Sequence, residues 1–247
     1  MRYFLTLLIK QGLYRIYKVW QWMYRFRVDK NDFLTIEVMK RYLQKNYNCI
    51  DIGANYGYLL HYMVKIAPQG KHHAFEPITP LCNRLKKHYG KKVKVQNIAL
   101  SDTNGSQTFY WYKHRPAVSG LKAREHMGGT QSEAITVQTA RLDDIIPADA
   151  EKIHLVKIDV EGAELLVLKG ARETLTRHKP MVLFECGKGG LDIFGHAPED
   201  IYDLLAGCGL QVSLLEYYLM NRAPLSRDEF LGQYNKMYNY FFVAYPV

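Results

Sequence analysis

Residues 49–60, CIDIGANYGYLL, pass from an apolar run into a turn holding an aspartate, an asparagine and two glycines, then into a helix-like segment. Small residues after a strand let a ligand approach the backbone, and the free N–H groups of the following helix point at it. The turn comprises Asp51, Gly53, Ala54, Asn55 and Gly57, a spacing that does not meet the GxGxxG fingerprint of dinucleotide enzymes. An acid at the entrance of the turn suits the ammonium of an amino-acid moiety better than a pyrophosphate. Asp51 therefore favours S-adenosylmethionine over a nicotinamide cofactor, and a side chain on Gly53 is expected to enter the ligand's space. Glu76 follows Asp51 by 25 residues at the end of a second strand-like run, where a carboxylate accepts ribose hydroxyls. That acid serves either cofactor.

A second concentration of chemistry lies in LVKIDVEGAELLVLKGA. A strand of a parallel sheet reads apolar throughout, yet Lys157, Asp159, Glu161 and Glu164 crowd one end of this one, where α/β proteins place their ligands. Buried charges are costly unless paired or met by a ligand. Asp159 and Glu161 are thus site candidates, with Lys157 as ion-pair partner and Glu164 at a helix N-terminus, where the dipole welcomes an acid.

Alternating β-rich and helical runs supply the frame from residue 48 onward, which is the pattern of βαβ units and a parallel sheet. Strands are expected at NCIDIG, KHHAFEP, KVKVQNIAL, IHLVKIDV and PMVLFEC, with helices over 56–66, 80–88, 162–175 and 198–205. SQTFYWY and AITVQTAR read as a hairpin around a mobile loop at 113–132. QVSLLEY and YNYFFVAYP, split by a polar loop, read as the reversed hairpin edge of a methyltransferase sheet.

Of the net charge of +9, residues 1–45 carry +7, from ten Lys/Arg against three acids. Basic surface so far from the glycine turn speaks against a nucleic-acid substrate. On a helix, Leu5, Leu8, Ile9, Leu13, Ile16, Val19, Trp20, Met23 and Phe26 share one face and Lys10, Arg15, Lys18 and Arg25 the other. Such a helix lies on an anionic membrane surface or docks on the protein or on a second copy in a homodimer. No apolar run is long enough for a membrane span, and the start of the chain does not read as a signal peptide. The four scattered cysteines show neither zinc nor disulfide spacing, as expected of a cytoplasmic protein, peripheral at the inner membrane surface if the helix binds lipid. The organisation expected is a basic amphipathic helical extension over 1–47 and one α/β domain over 48–247.

Taken in order, IDIGANYG, the acid of FEP, LDD, KIDVEGAE, VLKGA and the proline-to-glutamate run PMVLFE make the chain resemble the FkbM-type methyltransferases, from Cys49 to Glu185 and weakly on to Pro246. The resemblance implies a Rossmann-like class I fold, α/β with a mostly parallel twisted sheet and an antiparallel C-terminal edge strand. It also implies S-adenosylmethionine as cofactor and a hydroxyl of a sugar, glycan, glycolipid or natural product as acceptor. Asp51, Gly53, Asn55 and Gly57 would take the methionine side of the cofactor, Glu76 its ribose, and the segment with Ala99, Ser101 and Asp102 its adenine.

Methyl transfer to oxygen is an in-line displacement that depends on alignment, and a sugar hydroxyl needs a base. Asp159 and Glu185, at the ends of adjacent strands, and His196, in the loop LDIFGHAPED, are the candidates. His114 and His126 read as lid or surface residues. Asp159 and Glu185 could hold a divalent metal that orients a diol, but two carboxylates are too few to claim one, and none is assigned. Two alternatives stand beside this reading: a nicotinamide-dependent oxidoreductase, and a non-catalytic cofactor-binding protein anchored by its first helix.

Overall fold

The computed structural model describes residues 29–124 and 131–247. The amphipathic stripe of residues 5–26 and His126 lie outside that range. The first described helix, α1 (Lys30–Tyr42), starts at Asp29, whose carboxylate accepts from Asn31 N at 2.7 Å, and ends with Lys40 and Arg41 in its last turn. Its chain then enters β1 (Asn48–Ile52) and α2 (Tyr58–Ile66), followed by β2 (His72–Phe75), α3 (Thr79–Tyr89), β3 (Val93–Gln96) and the short β4 (Ala99–Leu100). The hairpin β5 (Gly105–Trp111) and β6 (Glu133–Ala140) precedes α4 (Leu142–Ile145), β7 (Ile153–Ile158), α5 (Glu164–Lys169), α6 (Arg172–His178) and β8 (Met181–Glu185). The chain closes with α7 (Pro198–Gly207), β9 (Leu210–Leu214), α8 (Leu215–Leu219), α9 (Arg227–Asn235) and β10 (Phe241–Pro246).

One sheet runs β3-β2-β1-β7-β8-β10-β9, parallel except for β10, which is antiparallel to both β8 and β9. The reversed pair at the C-terminal edge was expected; β10 is the inner member and β9 the outer. A second sheet, β4-β6-β5, lies apart from it. Because side chains alternate across a strand, Ile50, Ile52, Val156, Ile158, Val182 and Phe184 enter the core beneath α5, α6 and α7, while Cys49, Leu155, Met181 and Leu183 enter the core shared with α1, α2 and α8. Asp51, Lys157 and Glu185 fall in that second register. They are the polar ends of one face.

Several expected elements change form. The run 92–100 does not stay one strand: it breaks at Asn97, whose amide donates to the carbonyls of Glu76 (2.9 Å) and Pro77 (2.8 Å), and its tail pairs with β6. The helix expected over 162–175 splits into α5 and α6 at Gly170. There the chain passes so close to Ser101 that an added Cβ would meet its carbonyl oxygen at 2.0 Å, and the Gly170 carbonyl accepts from Asp143 N at 3.0 Å. Strand QVSLLEY ends at Leu214, since Leu215 and Leu219 turn as α8 into the core with Phe33 and Met39. The polar loop before β10 contains α9, announced by a capping box in which Ser226 and Glu229 exchange hydrogen bonds.

The segment after β5 is packed rather than loose in its described part. Pro116–Val118 form a turn of 3-10 helix, Gly120 and Tyr110 exchange backbone bonds, and the Tyr112 hydroxyl accepts from Arg124 N at 2.9 Å. Residues 125–130 of that loop lie outside the described range. All four cysteines are buried free thiols.

Candidate active site

The glycine turn lies where β1 ends, between β2 and β7. Its conformation demands glycine at position 53: φ is +74°, and a Cβ there would meet the Asp159 carbonyl oxygen at 2.0 Å. The expectation that a side chain at this position would intrude on a ligand is thus corrected, because the space is already filled by backbone at the end of β7. Asn55 adopts φ +49° and offers its N–H to Glu76 Oε2 at 2.7 Å, while Ile78 N donates to Oε1 at 2.8 Å. Glu76 is a buried strut between the turn and β2. Burial pushes its pKa up to about 7, against the pull of those two donors.

In register with Asp51 stands Lys157. Its ammonium lies 3.2 Å from Asp51 Oδ1 and 3.6 Å from Asp159 Oδ2, and donates to the Gly53 carbonyl at 2.8 Å. Burial opposes the charge, yet Asp51 and Asp159 overcome it and hold the Lys157 pKa above the usual range. Lys157 therefore ties the glycine turn to β7, and Asp51 is already engaged by a cation.

Beyond β7 the chain turns through Val160–Ala163, with Glu161 at φ +60° and Gly162 at +105°. Glu164 holds this turn: its Oε1 accepts from Val160 N (3.0 Å) and Gly162 N (3.2 Å) at the start of α5. Burial raises its pKa to about 7. The turn aims Glu161 toward Asp159 and Glu185, so that one oxygen of each carboxylate lies within 4.8 Å of the others. The sequence offered Asp159 and Glu185 as a pair; the third carboxylate makes a cation-sized group. Burial and then Asp159 raise the Glu161 pKa to about 8, although Arg124 forms an ion pair with it. Glu185 is also raised well above its ordinary value, first by burial and then by the charges of Asp159, Glu164 and Glu161.

Two adjoining cavities share Gly53, Asn55, Ala117, Asp159 and Glu161 in their walls. One is a narrow slot between Glu76 and the apolar side chains of Ile78, Ile98, Phe109 and Leu121. The other, of about 290 Å³, reaches Asp32, Asp51, Ala54, Tyr56 and Tyr58. Together they join an apolar slot bearing a buried carboxylate to an acid-lined chamber.

The remaining sequence candidates are spread. Ala99 lines the slot, but Ser101 and Asp102 do not line either cavity; the Ser101 hydroxyl turns to Asp102 Oδ1 at 3.3 Å. Gly57 caps α2 at φ +79°, its carbonyl accepting from the Tyr89 hydroxyl at 3.3 Å. His196 is not brought to the carboxylates: its ring stacks on Phe194, and after burial the charge that most lowers its pKa is Lys169. His114 is exposed. Sequence reasoning missed Asp32, on the first turn of α1, and read as a mobile loop the segment whose Pro116, Ala117, Ser119 and Leu121 line the slot. Asp32 lies in reach of Asp29 and Asp159, and burial with those charges raises its pKa to about 6. No sequence signal marks it, since an acid in a first helical turn is usual.

The chain matches the family model described as the methyltransferase FkbM domain over residues 51–212. It is 30% identical over 147 residues to the 2-O-methyltransferase NoeI of Sinorhizobium fredii, covering 52% of this chain and 58% of that protein. It is 31% identical over 165 residues to the methyltransferase sdnD of Sordaria araneosa, covering 53% and 62%. It is also 28% identical over 208 residues to the AMB antimetabolite synthetase AmbE of Pseudomonas aeruginosa, covering 69% of this chain but 10% of that one. The chain thus spans less than two thirds of the length of each of these relatives. In fold it resembles the crystal structure of methyltransferase FkbM from Methylobacillus flagellatus, with a TM-score of 0.50 at 14% identity, over 95% of this chain and 60% of that one. With the family match spanning well over half of its residues, the chain belongs to the FkbM methyltransferases.

Proposed function

We propose that the chain is an S-adenosylmethionine-dependent O-methyltransferase that acts on a hydroxyl of a sugar, glycan or glycolipid. What carries the reading is the pair of adjoining cavities that end at the carboxylates of Asp159 and Glu161, with which Glu185 is grouped. The kinship to a 2-O-methyltransferase supports the oxygen acceptor. The cofactor supplies an electrophilic methyl group on a sulfonium; this chain's residues bind, orient and handle the proton. Glu76 accepts from the ribose, while Ile78, Ile98 and Phe109 exclude water from the adenine face. Because Asp51 is engaged by Lys157, Asp32 is the carboxylate left to take the ammonium of the methionine tail: among the described residues no Lys or Arg pairs with it. Glu185 takes the acceptor proton, since a carboxyl held above its ordinary pKa is a stronger base once ionised. Asp159 orients it from the adjacent strand.

Calorimetric titration with S-adenosylhomocysteine and with NADH tests the cofactor; binding of the second and not the first overturns the reading. Transfer of a labelled methyl group to fractionated cell extract tests the acceptor, with label in glycan or glycolipid expected and label in protein or nucleic acid contrary. We further propose a cytoplasmic enzyme whose basic segment over residues 1–27 meets an anionic membrane. No helix among the described residues is long and apolar enough to cross one. Deleting residues 1–27 is expected to abolish salt-sensitive vesicle binding at unchanged cofactor affinity; a change of oligomeric state instead would make the segment a dimer element.

A further inference from the structure

Glu185 faces two spaces. One is the carboxylate cluster beside the acid-lined chamber. The other is a separate cavity of about 290 Å³ between the end of β8, the Gly187–Lys188 turn, the last turn of α9 and the start of β10. Its walls combine the rings of Tyr234 and Tyr240 with polar groups of three kinds. Tyr240, 45% exposed, is packed so closely on the turn that a Cβ at Gly187 would lie 2.9 Å from Tyr240 Cβ and 4.0 Å from Glu185 Oε1. Asn239 spends its amide nitrogen on Gln233 Oε1 (2.8 Å), which leaves its carbonyl oxygen as an acceptor. Lys188 donates to the Asn235 carbonyl at 3.0 Å and keeps further protons to give. At the mouth, Met237 is 71% exposed and held at φ +53°, and its chain neighbour Tyr238 is 67% exposed.

A flat aromatic ligand would leave most of these polar groups unmatched. A saturated ring with hydroxyls around its edge matches all of them: its C–H face covers Tyr240, and its hydroxyls donate to Glu185 and Asn239 and accept from Lys188. At about 290 Å³ the space sits at the lower limit of small-molecule pockets, roughly 300–1,000 Å³. It has room for one ring, with the rest of the acceptor leaving over the exposed Met237 and Tyr238. We infer that this cavity is the acceptor site and that it takes the terminal pyranose-like ring of a larger molecule, with one ring hydroxyl on Glu185. The inference rests on the O-methyltransferase reading and adds the place and class of its second substrate.

The test is saturation-transfer NMR on the full chain with a panel of methyl hexopyranosides, and with catechol as aromatic control, each run with and without S-adenosylhomocysteine. Saturable binding of at least one glycoside is expected. Tyr240→Ala should weaken it by roughly tenfold, the loss of one stacked ring face, Tyr240→Phe should retain it, and Gly187→Val should weaken it by displacing Tyr240, against whose Cβ the new side chain would press. Calorimetric affinity for S-adenosylhomocysteine should stay at the wild-type value in all three variants, which also shows that they fold. Wild-type protein that binds the cofactor product but no glycoside, binds catechol instead, or binds glycosides equally in every variant overturns the inference. Wild-type protein that ignores S-adenosylhomocysteine removes the cofactor reading, and the glycoside arm without it still decides the cavity.

Discussion

Lys157 is the residue on which the site's electrostatics turn. It sits between Asp51 and Asp159 and bonds the Gly53 carbonyl, so its removal would strand a buried carboxylate and loosen the glycine turn together. Lys157→Met is expected to cost about 3–5 kcal/mol of stability, the usual penalty for breaking a buried pair. Adding Asp51→Leu should restore part of that loss; thermal melts of the single and double variants check it. Glu185 gives a second expectation. Because burial and its carboxylate neighbours raise its pKa, the active, ionised form accumulates only as pH rises above the ordinary carboxylate range. Turnover at saturating cofactor should climb with pH, and Glu185→Gln should lose the slope along with about 10²–10⁴ in rate. A flat wild-type profile, or a Gln variant at full rate, would move the base elsewhere. At this scale the sequence was informative where charge broke an apolar pattern: Lys157, Asp159 and Glu161 could be found because a buried strand has no other use for them. Asp32 could not, since its meaning comes from the packing of α1 against the sheet. His196 looked equally plausible in sequence, and the structure stacks it on Phe194 instead.

Among elements, the turn from β7 into α5 holds Glu161 at φ +60° and Gly162 at +105° and is braced by one side chain. Glu164 satisfies two backbone N–H groups of that turn, so Glu164→Ala should leave both unbonded and cost about 2–4 kcal/mol. Glu164→Gln, which keeps the acceptor, should cost clearly less; equal melts for both would show that the brace is not needed. The strands of the main sheet were legible from their apolar runs, and the hairpin β5–β6 from its alternation. Breaks were harder to see. Nothing local announces that Asn97 will bond two carbonyls or that Gly170 must clear Ser101, because both partners are distant in sequence. The SRDE capping box before α9 stands in the sequence, but among its polar neighbours the stretch read as a loop.

Over the whole molecule, protonation couples the site to stability. Glu76 and Glu164 have pKa values raised to about 7 and Glu161 to about 8. Below the ordinary carboxylate value these groups are protonated folded or unfolded; above it the unfolded chain releases protons that the folded chain still holds. Their contribution is therefore full at the acid end and is lost as pH rises through about 7–8. The cofactor-free protein should melt at a higher temperature at pH 6 than at pH 8.5. A melting temperature that rises over that interval would mean these acids are ionised in the folded chain.

The placement of β10 has a bearing on how the molecule comes into being. Strand β8, which carries Glu185, gains its second neighbour only when Phe241–Pro246 arrive from the far end of the described chain. During synthesis, at roughly 5–20 residues per second, the ribosome delivers the glycine turn and the acids of β7 long before the strand that closes β8. The nascent chain thus carries an open β edge beside its future reaction centre for several seconds. Closing it is a long-range pairing, the slow kind, so the surroundings of Glu185 are expected to be completed late in folding.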